Sequence, residues 1–423
     1  MQEPWQEEDG TSLAVVLPLA VTGFVVAAGC WTLFAVAGVE LRQGLALNSL
    51  QFGALLSAPM AVSAALAIPA GLAARNRGAR QVMLWCLAGL AACMALLLLV
   101  DTFIGYLLVA GGLGLAGGFY SAGLQFVIRH CPVRRLGLVL GLFGAGVTGA
   151  GLNYYLVPLF HEAFSWQGVP VAYLIVLLLL IALLMMLTDR EPALAADSAQ
   201  RVSMVDFAQR LSHGPTFRYC LYFGVVAGSF FALALWLPDF LSAQFGLHLN
   251  EGAGLAQWFV IPGALAQVVG GGLSDRYGSA RVAMRALVTC LMALFVLSYP
   301  PMTMAIQGIR SVIVIDFAMP LPLETAIVVL LGLAMGCAMG SLQHRVILAH
   351  RIEASLFAGF LLVAACSVAF VLPMVFGAIN QWLGIRTAVF MVLFGLLSGT
   401  LWMFAWQLRA DPAPATSPPN GLS

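Results

Sequence analysis

Gly271-Gly-Leu-Ser-Asp-Arg-Tyr-Gly-Ser-Ala-Arg281 stands between two long apolar runs, and Gly71-Leu-Ala-Ala-Arg-Asn-Arg-Gly-Ala-Arg80 stands between two others. Gly71 matches Gly271 and Gly78 matches Gly278, the numbering differing by 200 in both pairs. Each stretch reads as a tight, glycine-bounded turn whose arginines resist passage through a bilayer. The same turn at the same place in two halves predicts a duplicated all-α membrane architecture. Six helices, a connection and six more would form a pseudo-symmetric pair with a site between them.

Runs of roughly 20 mostly apolar residues, the length that crosses a hydrocarbon core, extend outward from these turns. They fall near 13–38, 50–74, 81–101, 103–128, 136–160 and 168–188, then near 218–241, 251–274, 281–299, 325–346, 354–380 and 386–408. The division that follows is a leader 1–12, a six-helix half 13–188, a linker 189–217, a six-helix half 218–408 and a disordered tail 409–423. The mixed, Pro-containing stretch Pro300 to Glu324 reads as a long outer loop. With both ends in the cytoplasm, sixteen of the nineteen arginines fall inside and only Arg42, Arg310 and Arg386 fall outside, as basic loops require.

Composition excludes a soluble fold. The 423 residues are 61% hydrophobic and only 9% charged, with a mean hydropathy of +0.97, against roughly 25% charged in soluble domains. A net charge of +1 gives no footing for nucleic acid. The acidic leader (Glu3, Glu7, Glu8, Asp9) lacks the basic start of a secretory signal. The eight cysteines show no metal spacing and no disulfide framework. Met335 and Met339 share a helix face that would suit a soft metal, but Cys337 projects elsewhere, and packing explains all three.

At the repeated turn the sequence resembles the major facilitator superfamily, whose cytoplasmic signature runs from glycine through Asp-Arg to Gly and Arg. Gly271, Asp275, Arg276, Gly278 and Arg281 carry it in the second half. Gly71, Arg75 and Gly78 carry it in the first, with Arg75 where the signature places an acid, so that a latch there would be altered or missing. A narrower resemblance is to nitrate/nitrite porters. Trp31-Thr-Leu-Phe-Ala-Val-Ala-Gly38 is similar to their opening helix, and Gly137-Leu-Val-Leu-Gly-Leu-Phe-Gly-Ala-Gly146 with Gly149 and Pro158 to their fifth. Gln343 and Phe370-Val-Leu-Pro373 also fit. That resemblance implies Gly141, Gly144, Gly146 and Gly149 as close-packing glycines. It also implies an arginine pair gripping an oxyanion, at positions that are Ala67 and Gln267 here. The family's fifth-helix Asn is Val147, and Ala365, Cys366, Val368 and Ala369 replace glycines of the eleventh helix.

Polar residues within the runs are the substrate-binding candidates: Trp31, Gln125, Asn153, Tyr154, Tyr222, Gln257, Gln267 and Gln343, with His344 and Arg345 nearer the cytoplasm. Each is weighed against a bland role, gluing helices by hydrogen bonds worth roughly 1–2 kcal/mol. All acidic residues fall in loops or at helix ends, which leaves carboxylate-based proton coupling little support. No Ser/His/Asp set, nucleotide loop or cofactor motif is present, so no enzyme is expected. The expectation is a secondary transporter of a small solute, a nitrate- or nitrite-like anion first, working as a monomer in the lipid bilayer of a bacterial inner membrane. The alternatives are an uncharged substrate, or a non-transporting sensor on the same scaffold.

Overall fold

The structure, a computed structural model, describes residues 12–47, 49–189, 216–247, 249–299, 302–307, 312–317, 319–383 and 386–410. The acidic leader, nearly all of the linker 189–217, most of the tail, and Arg190, Arg201, Arg210 and Arg310 lie outside the described residues.

Among the described residues twelve helices are long and apolar enough to cross a membrane. Spans 1 to 6 are Leu13–Gly38, Gln51–Arg77, Ala79–Leu97, Phe103–Arg129, Val133–Phe164 and Trp166–Leu187. Spans 7 to 12 are Thr216–Phe245, Gly254–Tyr277, Ser279–Leu297, Leu321–Ala349, Arg351–Asn380 and Ala388–Arg409. Large apolar side chains such as Leu108, Ile175, Met186, Met292, Phe295 and Trp402 point outward, because lipid is the solvent there.

Part of one expected outer loop forms strands. Between spans 9 and 10, strand β1 (Met302–Gln307) pairs antiparallel with β2 (Val312–Phe317), Met302 opposite Phe317 and Gln307 opposite Val312. Each run is six residues, too short to cross a bilayer. The β-branched Val312-Ile-Val-Ile315 favours a strand, and the two backbones satisfy each other.

Helical backbone is continuous from Thr148 to Leu187, across spans 5 and 6. Tyr173 nevertheless donates its hydroxyl proton to Asn153 Oδ1, although a straight helix would separate the two by roughly 30 Å. The chain therefore folds back between the two spans. Span 1 breaks at Thr32, whose hydroxyl bonds the Ala28 carbonyl at 2.9 Å. Asn153 Nδ2 fills the break, donating to Gly29 O at 2.6 Å and to Thr32 Oγ1 at 3.1 Å.

Lipid offers no hydrophobic drive between helices, so small residues that let backbones touch do the packing. Along span 5, a methyl on Gly137 or Gly141 would strike the backbone of span 8, at Gly271 O and Gln267 O. A methyl on Gly146 or Gly149 would strike span 1, at Phe24 and Val25 O. The glycine run thus seats span 5 against two neighbours at once. A 3-10 segment, Ala145–Val147, interrupts the helix where its contacts change sides.

The second half repeats the arrangement. A Cβ on Gly359 of span 11 would stand 2.6 Å from Ala67 O of span 2, and one on Gly71 would strike Ser355 O. The pairs Gly141 with Gln267 and Gly359 with Ala67 are therefore equivalent, as are Gly137 with Gly271 and Ser355 with Gly71. Two antiparallel helix pairs, spans 5 and 8 and spans 2 and 11, join the halves. They meet at the face that carries both signature turns, the basic face of the molecule.

Candidate functional site

The two signature turns share a backbone geometry that only glycine adopts cheaply. Gly78 has φ 101° and ψ 135°, and Gly278 has φ 86° and ψ 133°. Each lets its chain reverse within one residue, holding residues 75 and 275 against the opposite half.

Asp275 accepts from the backbone N–H groups of Gly137, at 2.8 Å, and Leu138, at 2.9 Å. These are unpaired donors at the start of span 5, where the helix dipole also favours an anion. The carboxylate bonds amount to roughly 1.5–3 kcal/mol each. His344 Nε2 lies 3.4 Å from Asp275 Oδ1. On the symmetric side Arg75 cannot accept, and it donates instead to Ile352 O at 2.5 Å, at the start of span 11. The orphan N–H of Ser355 there is taken by Gln125 Oε1 at 2.9 Å. Arg351 adds a third tie across the halves, donating to Cys131 O at 2.7 Å. The first-half counterpart thus has reversed polarity: an arginine on a carbonyl and a neutral amide on the N–H replace one carboxylate.

Deeper in the bundle, side chains of spans 8 and 10 converge on Gly144 of span 5. Gln267 of span 8 is 2% exposed and donates from Nε2 to Gly144 O at 3.1 Å. Gln343 of span 10 is 0% exposed and donates from Nε2 to the Tyr120 hydroxyl of span 4 at 3.0 Å. Gln343 Oε1 is buried without a partner. A Cβ on Gly144 would collide with Gln267 Oε1 and lie 3.5 Å from Gln343 Oε1, so both amide oxygens face one point. The rings of Phe24, Tyr120 and Phe143 wall the cluster, with centroids 5.1–5.7 Å apart.

Gln267 and Gln343 are therefore brought together, and Tyr120 joins them. Nothing in the local sequence around Tyr120 separates it from other tyrosines in apolar runs. The remaining candidates lie elsewhere. Asn153 is engaged by spans 1 and 6 as described. The Tyr154 hydroxyl donates to Ala234 O of span 7, joining the halves away from the basic face. Tyr222 donates to Gln407 Oε1 of span 12 at 3.0 Å. Gln125 caps span 11. Gln257 is half-buried on span 8. Trp31 packs tilted against Phe231 of span 7, with ring centroids 5.1 Å apart, and its buried Nε1 has no partner. Arg345 lies over the Tyr219 ring at 4.5 Å. Among the described residues no group of three metal-ligating side chains forms.

Known proteins resemble the chain in sequence and in fold. The probable nitrate/nitrite antiporter NarK1 of Thermus thermophilus is 28% identical over 410 residues, covering 93% of this chain and 91% of its own. The nitrite extrusion protein of Bacillus subtilis is 25% identical over 283 residues, 66% of this chain and 69% of its own. The crystal structure of FucP, a transporter in the outward conformation, superposes with a TM-score of 0.70 at 15% identity, covering 94% of this chain and 99% of that one. The family model described as Major Facilitator Superfamily matches residues 19–350. The chain is thus a multi-pass membrane protein of a family of secondary transporters, not enzymes, and it belongs to the major facilitator superfamily.

Proposed function

We propose that this protein moves a small solute of the nitrate/nitrite type across the inner membrane by alternating access, with Gln267, Gln343 and Tyr120 as its central site. The observation that carries the reading is the convergence of buried amides from spans 8 and 10 on Gly144 of span 5, at the seam between the halves. Gln267 occupies one of the positions where the porters' resemblance implies an anion-gripping arginine. The names of the curated relatives support the substrate class. The latches of Asp275 and Arg75 would hold the basic face shut while the opposite face admits solute, and would part when the halves rock.

Basic loops are retained inside, so the basic face and both chain ends belong in the cytoplasm of a bacterial cell. The halves are 13–188 and 218–408, joined by the linker 189–217. Site and latches are built within one chain, which suits a monomer. Ala67 and Gln267 are both neutral, and this favours an uncharged solute as the second reading. Uptake of nitrate and nitrite into proteoliposomes tests the proposal. Saturable flux above empty liposomes, weakened at least several-fold by Gln267→Ala, is expected; no flux of either anion would refute the assignment.

A further inference from the structure

We propose that the central site takes its solute in the uncharged, protonated form, so that a weak-acid anion such as nitrite crosses together with one proton, while nitrate, the anion of a strong acid, is excluded. The proposal rests on the porter reading above and names the species that the site accepts.

Hydrogen-bond polarity at the site carries the inference. Gln267 uses an N–H on the Gly144 carbonyl, which can only accept, and this fixes the orientation of its amide. Gln343 uses its Nε2 on Tyr120. Both amide oxygens are set towards Gly144, and that of Gln343 is buried with no donor. A buried acceptor without a donor is unfavourable. A bare anion, which offers only acceptors, would make this worse by setting lone pairs against lone pairs. A solute bearing an O–H satisfies Gln343 Oε1. The Tyr120 oxygen already accepts from Gln343, so its own proton can be donated to the solute's second oxygen.

Charge points the same way. On span 10, His344 turns to Asp275 of span 8 at 3.4 Å, and Arg345 stacks over Tyr219 of span 7. Among the described residues no hydrogen bond or ion pair joins either of them to the amide pair. Span 5 contributes Gly144 and Phe143, span 1 contributes Phe24, and span 4 contributes Tyr120, with Cys366 of span 11 in its vicinity. A desolvated anion here would lack a cationic partner, a costly arrangement inside a membrane. Protonation removes the charge: nitrite takes one proton from the loading side, an O–H bond forms, and the same bond breaks on release. No electron is transferred.

The test measures initial uptake into proteoliposomes holding the wild-type protein, less the uptake of empty liposomes, under potassium diffusion potentials of either sign. Saturable nitrite uptake should rise roughly tenfold for each unit fall in external pH at constant total nitrite, following the protonated fraction. It should ignore the sign of the potential, nitrate should not enter, and Gln343→Leu should lose the nitrite flux. Saturable nitrate uptake driven by an inside-positive potential would overturn the proposal while leaving the porter reading intact. If that uptake were also lost in Gln343→Leu, the amide would be presenting N–H in place of its oxygen. Absence of saturable uptake of either anion would overturn the porter reading, and this proposal with it. Should Gln343→Leu fail to fold, the pH and potential dependence of the wild type still decides.

Discussion

Gly144 meets two amide oxygens where a methyl would stand, and that contact sets what the site can hold. The atom a methyl would strike is the end of the Gln267 side chain, which can swing, so Gly144→Ala should fold. The same methyl fills the point on which the amides converge. The expected result is normal yield and a monodisperse protein with solute flux reduced at least tenfold. Ala67 and Gln267 are the second lever at this scale. They are equivalent positions in the two halves, and neither carries charge. Replacing both, Ala67→Arg with Gln267→Arg, supplies two rigid guanidinium forks suited to a planar oxyanion. Nitrate binding, measured by calorimetry on the purified protein, should then rise above that of the wild type.

At the scale of elements, the latches show what a sequence can and cannot disclose. The twelve spans were legible because run length and apolarity are properties of consecutive residues, and the signature turns because glycine and arginine mark them. Asp275 stands out in the sequence as the acid of the signature turn. Its partners, Gly137 and Leu138, lie more than a hundred positions away, and only the packing of span 5 on span 8 brings them into reach. Arg75 shows the limit more sharply. The loss of the acid reads as an altered or missing latch, and the sequence does not say how it is altered: Arg75 donates to Ile352 O while Gln125 takes the N–H of Ser355. Asn153, Tyr154 and Tyr222 read as possible cavity residues, but their hydrogen bonds tie spans to one another. A polar side chain in an apolar run looks the same for either role until its partner is known. The hairpin of β1 and β2 was missed because proline and mixed polarity signalled a loop, and strand pairing depends on residues across the turn.

The latch also yields a measurement at this scale. Asp275→Asn keeps one acceptor and loses the charge, removing about 1.5–3 kcal/mol from the closed state of the basic face. Hydrogen exchange of the backbone N–H groups of Gly137 and Leu138 should speed up by about tenfold or more. An unchanged rate would mean that the carboxylate does not hold span 5.

For the whole molecule, the claim is that two six-helix halves part and rejoin at the basic face as solute passes. Spans 5 and 8 stay in contact from Gly137 and Gly271 to Gly151 and Ile261, roughly 20 Å of helix. Such a seam either opens as a unit or stays shut. Leu138 and Gly272 face each other across it, a Cβ on Gly272 lying 3.6 Å from Leu138 Cδ1. The most direct test is nitrite uptake into proteoliposomes by the double variant Leu138→Cys with Gly272→Cys, before and after joining the two thiols with a short reducible cross-linker. Rocking of the halves predicts uptake that stops on cross-linking and returns on reduction. Undiminished uptake by fully cross-linked protein would contradict alternating access at this interface.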